Sequence, residues 1–444
     1  TPDKRYQSNP NQKDIAPRFG LAWTFLHNTV FRAGYGIFYL PGSGGVGASP
    51  GDLGSGSQAS TAVFLGQAPA APNTPPAGAN LANPFVTGLI GYPNTLIGSG
   101  ISAVFPTWLT PLNQQWNASF QRTIFSDLLV EAAYLGSRGE HIWTNIGADA
   151  ADPKYLSLGS QLNALVPNPF YGKITSGSLS PATVRQSSLL IPYPQYTSIN
   201  NIRASVGDSV YHAFTLRADK RFQHGLLFQA SYTFSKLIDN VQERFGGRSS
   251  FTNPYDLRQS RSVSDQDRSQ ILVANFVYEL PVGTGQHWAG KGIAGKVLGN
   301  WQVSSIITAD NGQPVVITGP NNTQLPGVSA YALRLHDPHL ASGQSIDKWF
   351  DTTAFASAPL YSLGNDSRTE PNLRNPGIFT VDLGLSRYQP ITERIRLQFR
   401  AEMFNSLNWV NFSAPQGSVT ATNFGQIIAA GGGRSVQLGL RLTY

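Results

Sequence analysis

Val436, Leu438, Leu440, Leu442 and Tyr444 alternate with Gln437, Gly439, Arg441 and Thr443, which is the two-residue period of a strand with one apolar and one polar face. The same period recurs through the chain. Ala16 to Phe25 carries Phe19, Leu21, Trp23 and Phe25 on one row. Thr29 to Leu40 follows with Phe31, Ala33, Tyr35, Ile37 and Tyr39, and the short link predicts a hairpin. Leu112 to Ile124 and Leu128 to Gly139 form a second hairpin across Phe125, Ser126 and Asp127. A third has Phe214, Leu216, Ala218 and Phe222 entering the turn at Gln223 to Gly225, and Leu226, Phe228, Ala230, Tyr232 and Phe234 leaving it. Asp267 to Val282 leads through a Gly-rich link to Trp301, Val303, Ser305 and Ile307. Phe379 to Leu385 pairs with Ile395 to Met403, and the terminal strand closes the series.

About eleven strands result, joined by connections that alternate short and long. The long ones are Pro41 to Thr110, Glu140 to Asp208, Leu237 to Gln266, Gly312 to Pro376 and Ser406 to Gly433, and they gather Gly, Pro, Ser and Asn. Such alternation is expected of an antiparallel transmembrane β-barrel, with short periplasmic turns and long extracellular loops. Counting back from Tyr444 at the periplasmic side puts every long loop outside. The cations on the apolar rows, Arg122, Lys220 and Arg387, each fall beside a short turn, where they reach the headgroups. Single-chain barrels carry even strand numbers, so an odd count implies part of a longer barrel, half of about 22 strands.

Composition agrees. Of 444 residues, 13% are charged, while 45 are Gly and 30 Pro, which suits many turns and loops in one large β architecture. No apolar run nears the roughly 18 residues of a helical span. The formal charge of +7 is scattered, without the stripe that tracks phosphates, so no nucleic-acid partner is expected. Cysteine is absent, which removes disulfide frameworks and thiolate metal sites. No signal peptide precedes Thr1, so Thr1 is not expected to begin the gene product.

Several stretches, taken in order, resemble a known family: Ile15–Trp23, Val30–Tyr39, Gln115–Arg122, Val130–Gly139, Phe228–Lys236, Gly299–Val303, Phe399–Asn408 and Gly439–Tyr444. Together they are similar to the C-terminal barrel of Oar-like TonB-dependent outer-membrane receptors of Gram-negative bacteria. The resemblance implies active uptake of a large or scarce ligand, a luminal plug, and a box contacting TonB and its inner-membrane motor. It also implies contact with outer-membrane lipid and assembly by the barrel-assembly machinery through the terminal strand, Val436, Leu438, Leu440, Leu442 and Tyr444. Plug, box and first barrel half are expected to lie outside residues 1–444. An adhesion or surface-assembly barrel and a passive porin are the competing functions.

Neither an enzyme nor a cofactor site is expected. Gly285–Gly292 nearly matches a phosphate loop, yet Gly292 stands where a Ser or Thr is required. His336-Asp337-Pro338-His339 offers two imidazoles and a carboxylate without a further ligand nearby, so no metal centre is expected. Arg394, Arg396, Gln398, Arg400 and Glu402 form an inward row, either a solvated lumen wall or a contact for the plug or an anionic ligand. Phe245 to Tyr255 and Tyr361 to Asn375 are loop segments placed to touch a ligand.

Overall fold

The computed structural model describes residues 14–40, 97–104, 109–125, 127–175, 177–241, 251–283, 288, 299–392 and 394–444. Eleven strands follow one another across an uninterrupted antiparallel path. They are β1 (Arg18–Leu26), β2 (Thr29–Tyr39), β3 (Leu112–Ile124), β4 (Leu128–Gly147), β5 (Ser198–Gln223), β6 (Leu226–Asp239), β7 (Gln270–Glu279), β8 (Trp301–Asp310), β9 (Phe379–Pro390), β10 (Arg396–Phe404) and β11 (Ser435–Thr443). Each pairs with its neighbour in sequence, so every apolar row faces one side of the sheet. Turn chemistry explains the tight ends: Asn28, Phe125 and His224 take positive φ at the short connections, two of them Asn or His, which tolerate it better than most side chains.

The path is open. Among the described residues, β1 pairs only with β2 and β11 only with β10. Among the described residues the expected antiparallel barrel sheet is therefore not closed and keeps two free edges. Two strands also run farther than their apolar alternation. β4 continues to Gly147 and β5 begins at Ser198, so the loop expected over Glu140 to Asp208 is shorter by a paired extension. The cause is a set of β-bulges near His141 (φ 57°), which shift the register and erase the two-residue period while backbone pairing goes on from Ile142↔Gly207 to Gly147↔Asn200. Gly207 permits the crowding there, since a Cβ on it would lie 2.8 Å from Ile142. Likewise Gly100–Val104, expected to be loop, runs parallel to Ser198–Ile202.

Apolar burial is inverted relative to a soluble sheet. Leu21, Trp23, Phe120, Leu216, Leu438 and Leu440 on the apolar face are exposed, Leu440 at 72%. A contiguous face of this kind is stable only against another apolar phase. Most buried apolar side chains sit instead in the long loops, which form three cores among the described residues. Phe350, Phe355, Val315, Ile317 and Leu373 make the largest, with Phe424 edge-on to Phe350 at 5.3 Å. Leu162, Ala151, Ile191, Leu325 and Val328 make the second, and Ile174, Leu179 and Val184 the third. No helix of the described residues is long and apolar enough to cross a membrane.

Candidate functional site

On the polar face of the last four strands, register alone assembles a trough. Gln302, Ser386, Arg400 and Gly439 lie opposite one another across β8 to β11, as do Ser304, Gly384, Glu402 and Gln437 one step along. Tyr388, Gln398 and Arg441 complete a third row. The hollow among them has a volume of about 320 Å³. A second hollow of about 450 Å³ adjoins it through Gln302 and Tyr388 and reaches Glu279, Asn300 and Arg396 at the short-turn end. Gly384 leaves the floor open, because a Cβ there would come within 2.5 Å of the Ser304 hydroxyl.

The expected inward row divides in two. Arg396, Gln398, Arg400 and Glu402 alternate on β10, whereas Arg394 lies outside the strand, in the turn before it. Within the trough Gln398 Nε2 donates to the Tyr388 hydroxyl at 2.9 Å, and Arg400 forms an ion pair with Glu402. Arg396 and Arg441 make no ion pair among the described residues. The trough is therefore a polar, positively biased surface of hydrogen-bonding groups, suited to holding a polypeptide or a polar ligand. The terminal strand places Val436, Leu438, Leu440 and Leu442 on the opposite, apolar face, with Tyr444 beyond its end at 96% exposure.

The cations of the apolar rows stand at the short turns. Lys220 on β5 pairs with Asp127 in the β3–β4 turn, and Arg387 donates to the Gly299 carbonyl at 3.2 Å and lies over the Trp301 ring. Arg122 sits opposite Val130, near the same turn as Asp127.

Sequence reasoning missed the polar fastenings that tie the loop cores to the sheet. Arg374 Nη2 donates to the fully buried Asp267 carboxylate and to Ser269 Oγ, both at 2.7 Å. Arg368 pairs with Asp239 and donates to the Ser260 carbonyl at 2.9 Å, and Arg334 pairs with the buried Glu370 at 3.2 Å. Asp366, beside Glu370, has its pKa pushed up to about 8, first by burial and then by its hydrogen bond to Glu370 and that group's charge. Of the segment Tyr361 to Asn375, Asp366, Thr369, Glu370 and Leu373 are thus buried fastenings. In the other segment placed for a ligand, residues 245–250 lie outside the described residues; Phe251 is buried and Tyr255 exposed. The signal available was weak: arginines amid Asp, Asn and Ser in a loop, without any period.

His339 donates Nδ1 to Asp337 at 2.6 Å and faces the Asn372 carbonyl through Nε2 at 3.2 Å. Two acceptors on one ring favour the imidazolium, and the Asp337 hydrogen bond raises its pKa. Both nitrogens are thereby engaged by the protein, and His336 turns to the Asp337 carbonyl and Thr353. The Gly285–Gly292 stretch lies outside the described residues except for Trp288.

No curated protein matches the sequence. Among solved structures, the outer membrane transporter YddB from Escherichia coli is similar at 11% identity and a TM-score of 0.48, over 99% of this chain and 41% of that one. The pyoverdine outer membrane receptor FpvA from Pseudomonas aeruginosa is similar at 10% and 0.41, over 97% and 36%. The FrpB iron transporter from Neisseria meningitidis follows at 12% and 0.40, over 96% and 39%. The chain spans about two fifths or less of the length of each of these structures. The family described as outer membrane beta barrel domain matches residues 2–437. With that match over nearly its whole length, the chain belongs to the outer membrane beta barrel domain family and to the outer membrane.

Proposed function

We propose that the chain is the C-terminal half of the barrel of a TonB-dependent outer-membrane receptor, of the Oar-like kind, that imports a large or scarce ligand. The observation that carries this is the direction of the two free edges. β1 and β11 are both odd members of an antiparallel meander and run the same way. Joining them would make a parallel seam in a sheet whose other neighbours on the path are antiparallel. In a bilayer a bare edge costs several kcal/mol for each unpaired backbone group, so further strands must complete the sheet. Antiparallel closure requires an odd number of them, and eleven more would give the roughly 22 strands of the plugged transporters.

In this reading the loop cores hold a ligand-facing surface rigid, and the trough lined by Gln302, Tyr388, Arg400 and Arg441 receives the plug. The terminal strand is the element handed to the barrel-assembly machinery. TonB acts through the N-terminal part of the gene product. A lumen of about 22 strands needs a plug, which disfavours a passive porin. An adhesion platform would use the same barrel without the TonB-contacting box.

Reading the locus upstream of the Thr1 codon tests the proposal. A continuous frame encoding a signal peptide, a TonB box, a plug and an odd number of further strands is the expected result. Crosslinking of the complete gene product to the periplasmic domain of TonB should then follow. A frame with strands but without plug or box would make the barrel an adhesion platform.

A further inference from the structure

One row on the apolar face differs from the rest. Register aligns Tyr35, Trp116, Gly136, His212 and Lys236 directly across β2 to β6. From Leu128 at the short turn, β4 rises about 20 Å to Gly136 at ~3.4 Å per residue and a tilt of about 40°. That is close to the outer border of an apolar band about 25 Å tall. Arg138 stands one step farther out on the same face, opposite Val210.

The row is built. The Tyr134 hydroxyl bonds His212 Nδ1 at 2.7 Å and its ring stacks on the imidazole, while Trp116 approaches the same ring edge-on. Gly136 lets the indole lie against the strand, since a Cβ would stand 2.1 Å from it. Tyr134 thus occupies Nδ1 of His212, and Lys236 is the cross-strand neighbour of His212. Lys236 makes no ion pair among the described residues, whereas Lys220 and Arg387 at the short-turn end have protein partners. Arg138 is already paired with Glu140 at 2.7 Å, the acidic group that borders the row. Directly below lie the exposed rings of Phe214 and Phe234. Cations above and apolar rings beneath match an amphiphile with a phosphate over acyl chains, which a free anion would not use.

We propose that Trp116, His212 and Lys236, bordered by Arg138, form a binding site for the phosphorylated headgroup of an outer-leaflet lipid. This rests on the outer-membrane placement of the chain and stands whether or not the barrel transports anything.

The test is titration of the folded chain, in amine-oxide detergent micelles, with a diphosphorylated glucosamine-based lipid, bound lipid being counted by native mass spectrometry. Lys236→Gln should weaken binding about fivefold, the usual loss for one cation at an anionic surface, and the double variant with His212→Gln about tenfold or more. Arg122→Gln, on the same face at the short-turn end, should leave it unchanged. All three side chains are exposed, and retained strand circular dichroism checks the fold. Equal losses in Arg122→Gln and in the row variants would overturn the proposal in favour of unspecific interfacial charge. Equally tight binding of the dephosphorylated lipid, or displacement by equimolar inorganic phosphate, would overturn it as well.

Discussion

Asp366 and Glu370 are buried side by side, and each retains a carboxylate oxygen without a hydrogen-bond partner among the described residues when both are ionised. A proton on Asp366 supplies the missing donor, which is why burial and Glu370 hold it up to about 8. Arg334, paired with Glu370, and the Ser367 amide, donating to Asp366 at 2.8 Å, are the neighbours that favour charge instead. Between the ordinary carboxylate pKa and about 8 the folded loop binds the extra proton. Its stability therefore falls as pH rises through that window and levels off above it. In Asp366→Asn the amide donates permanently. The denaturant midpoint for loop opening, followed by tryptophan fluorescence from pH 5 to 9, should fall in the wild type and stay nearly level in the variant. Parallel slopes would show that the pair does not share a proton. Arg374 makes the opposite case: its removal strands the fully buried Asp267 charge. Arg374→Ala should cost the loop about 3 kcal/mol, read by hydrogen exchange at the Gln313 to Asn375 segment.

At the scale of elements, the chain consists of a sheet that folds for a bilayer and loops that fold for water. The loop cores are separate hydrophobic units, so damage to one should stay local. Phe350 is fully buried and edge-on to Phe355 and Phe424. Phe350→Ala should cost the cap about 3–5 kcal/mol and expose the segment between β8 and β9 to limited proteolysis, leaving the strand fragments intact. Simultaneous digestion of the strands would show that sheet and cap unfold together. The hairpins were legible in the sequence because a bilayer on one side and water on the other impose strict alternation, as from Phe214 to Phe234. That constraint ends where a strand leaves the apolar band, so the extensions of β4 past His141 and of β5 before Gly207 carried no period. The loop cores were illegible for a related reason. Leu162 and Phe350 are buried by contacts between distant segments, and nothing at a fixed spacing marks them. The β10 half of the trough was readable from alternation alone. Its partners Gln302, Gly384, Tyr388 and Arg441 required the pairing register.

For the whole molecule, the proposed half-barrel makes the parity of the strands decide how the sheet would be completed. Two copies cannot close a ring in one membrane by antiparallel pairing of like edges, since a β11–β11 seam would place their loops on opposite sides. Detergent imposes no such sidedness, and there the free edges are open to pairing. The chain by itself in micelles should therefore run as dimers or larger species by size exclusion with light scattering. Hydrogen exchange should protect the outward amides of β11 in those species and leave them open on dilution. The same residues fused to the odd set of strands that completes the sheet should instead give a monomer with every strand edge protected. That monomer should migrate differently on electrophoresis before and after heating, because a closed barrel resists detergent until boiled. A monodisperse monomer of residues 1–444 with protected edges on both β1 and β11 would mean that the sheet closes through a parallel seam. The argument for about 22 strands, and with it the plugged receptor, would then fall.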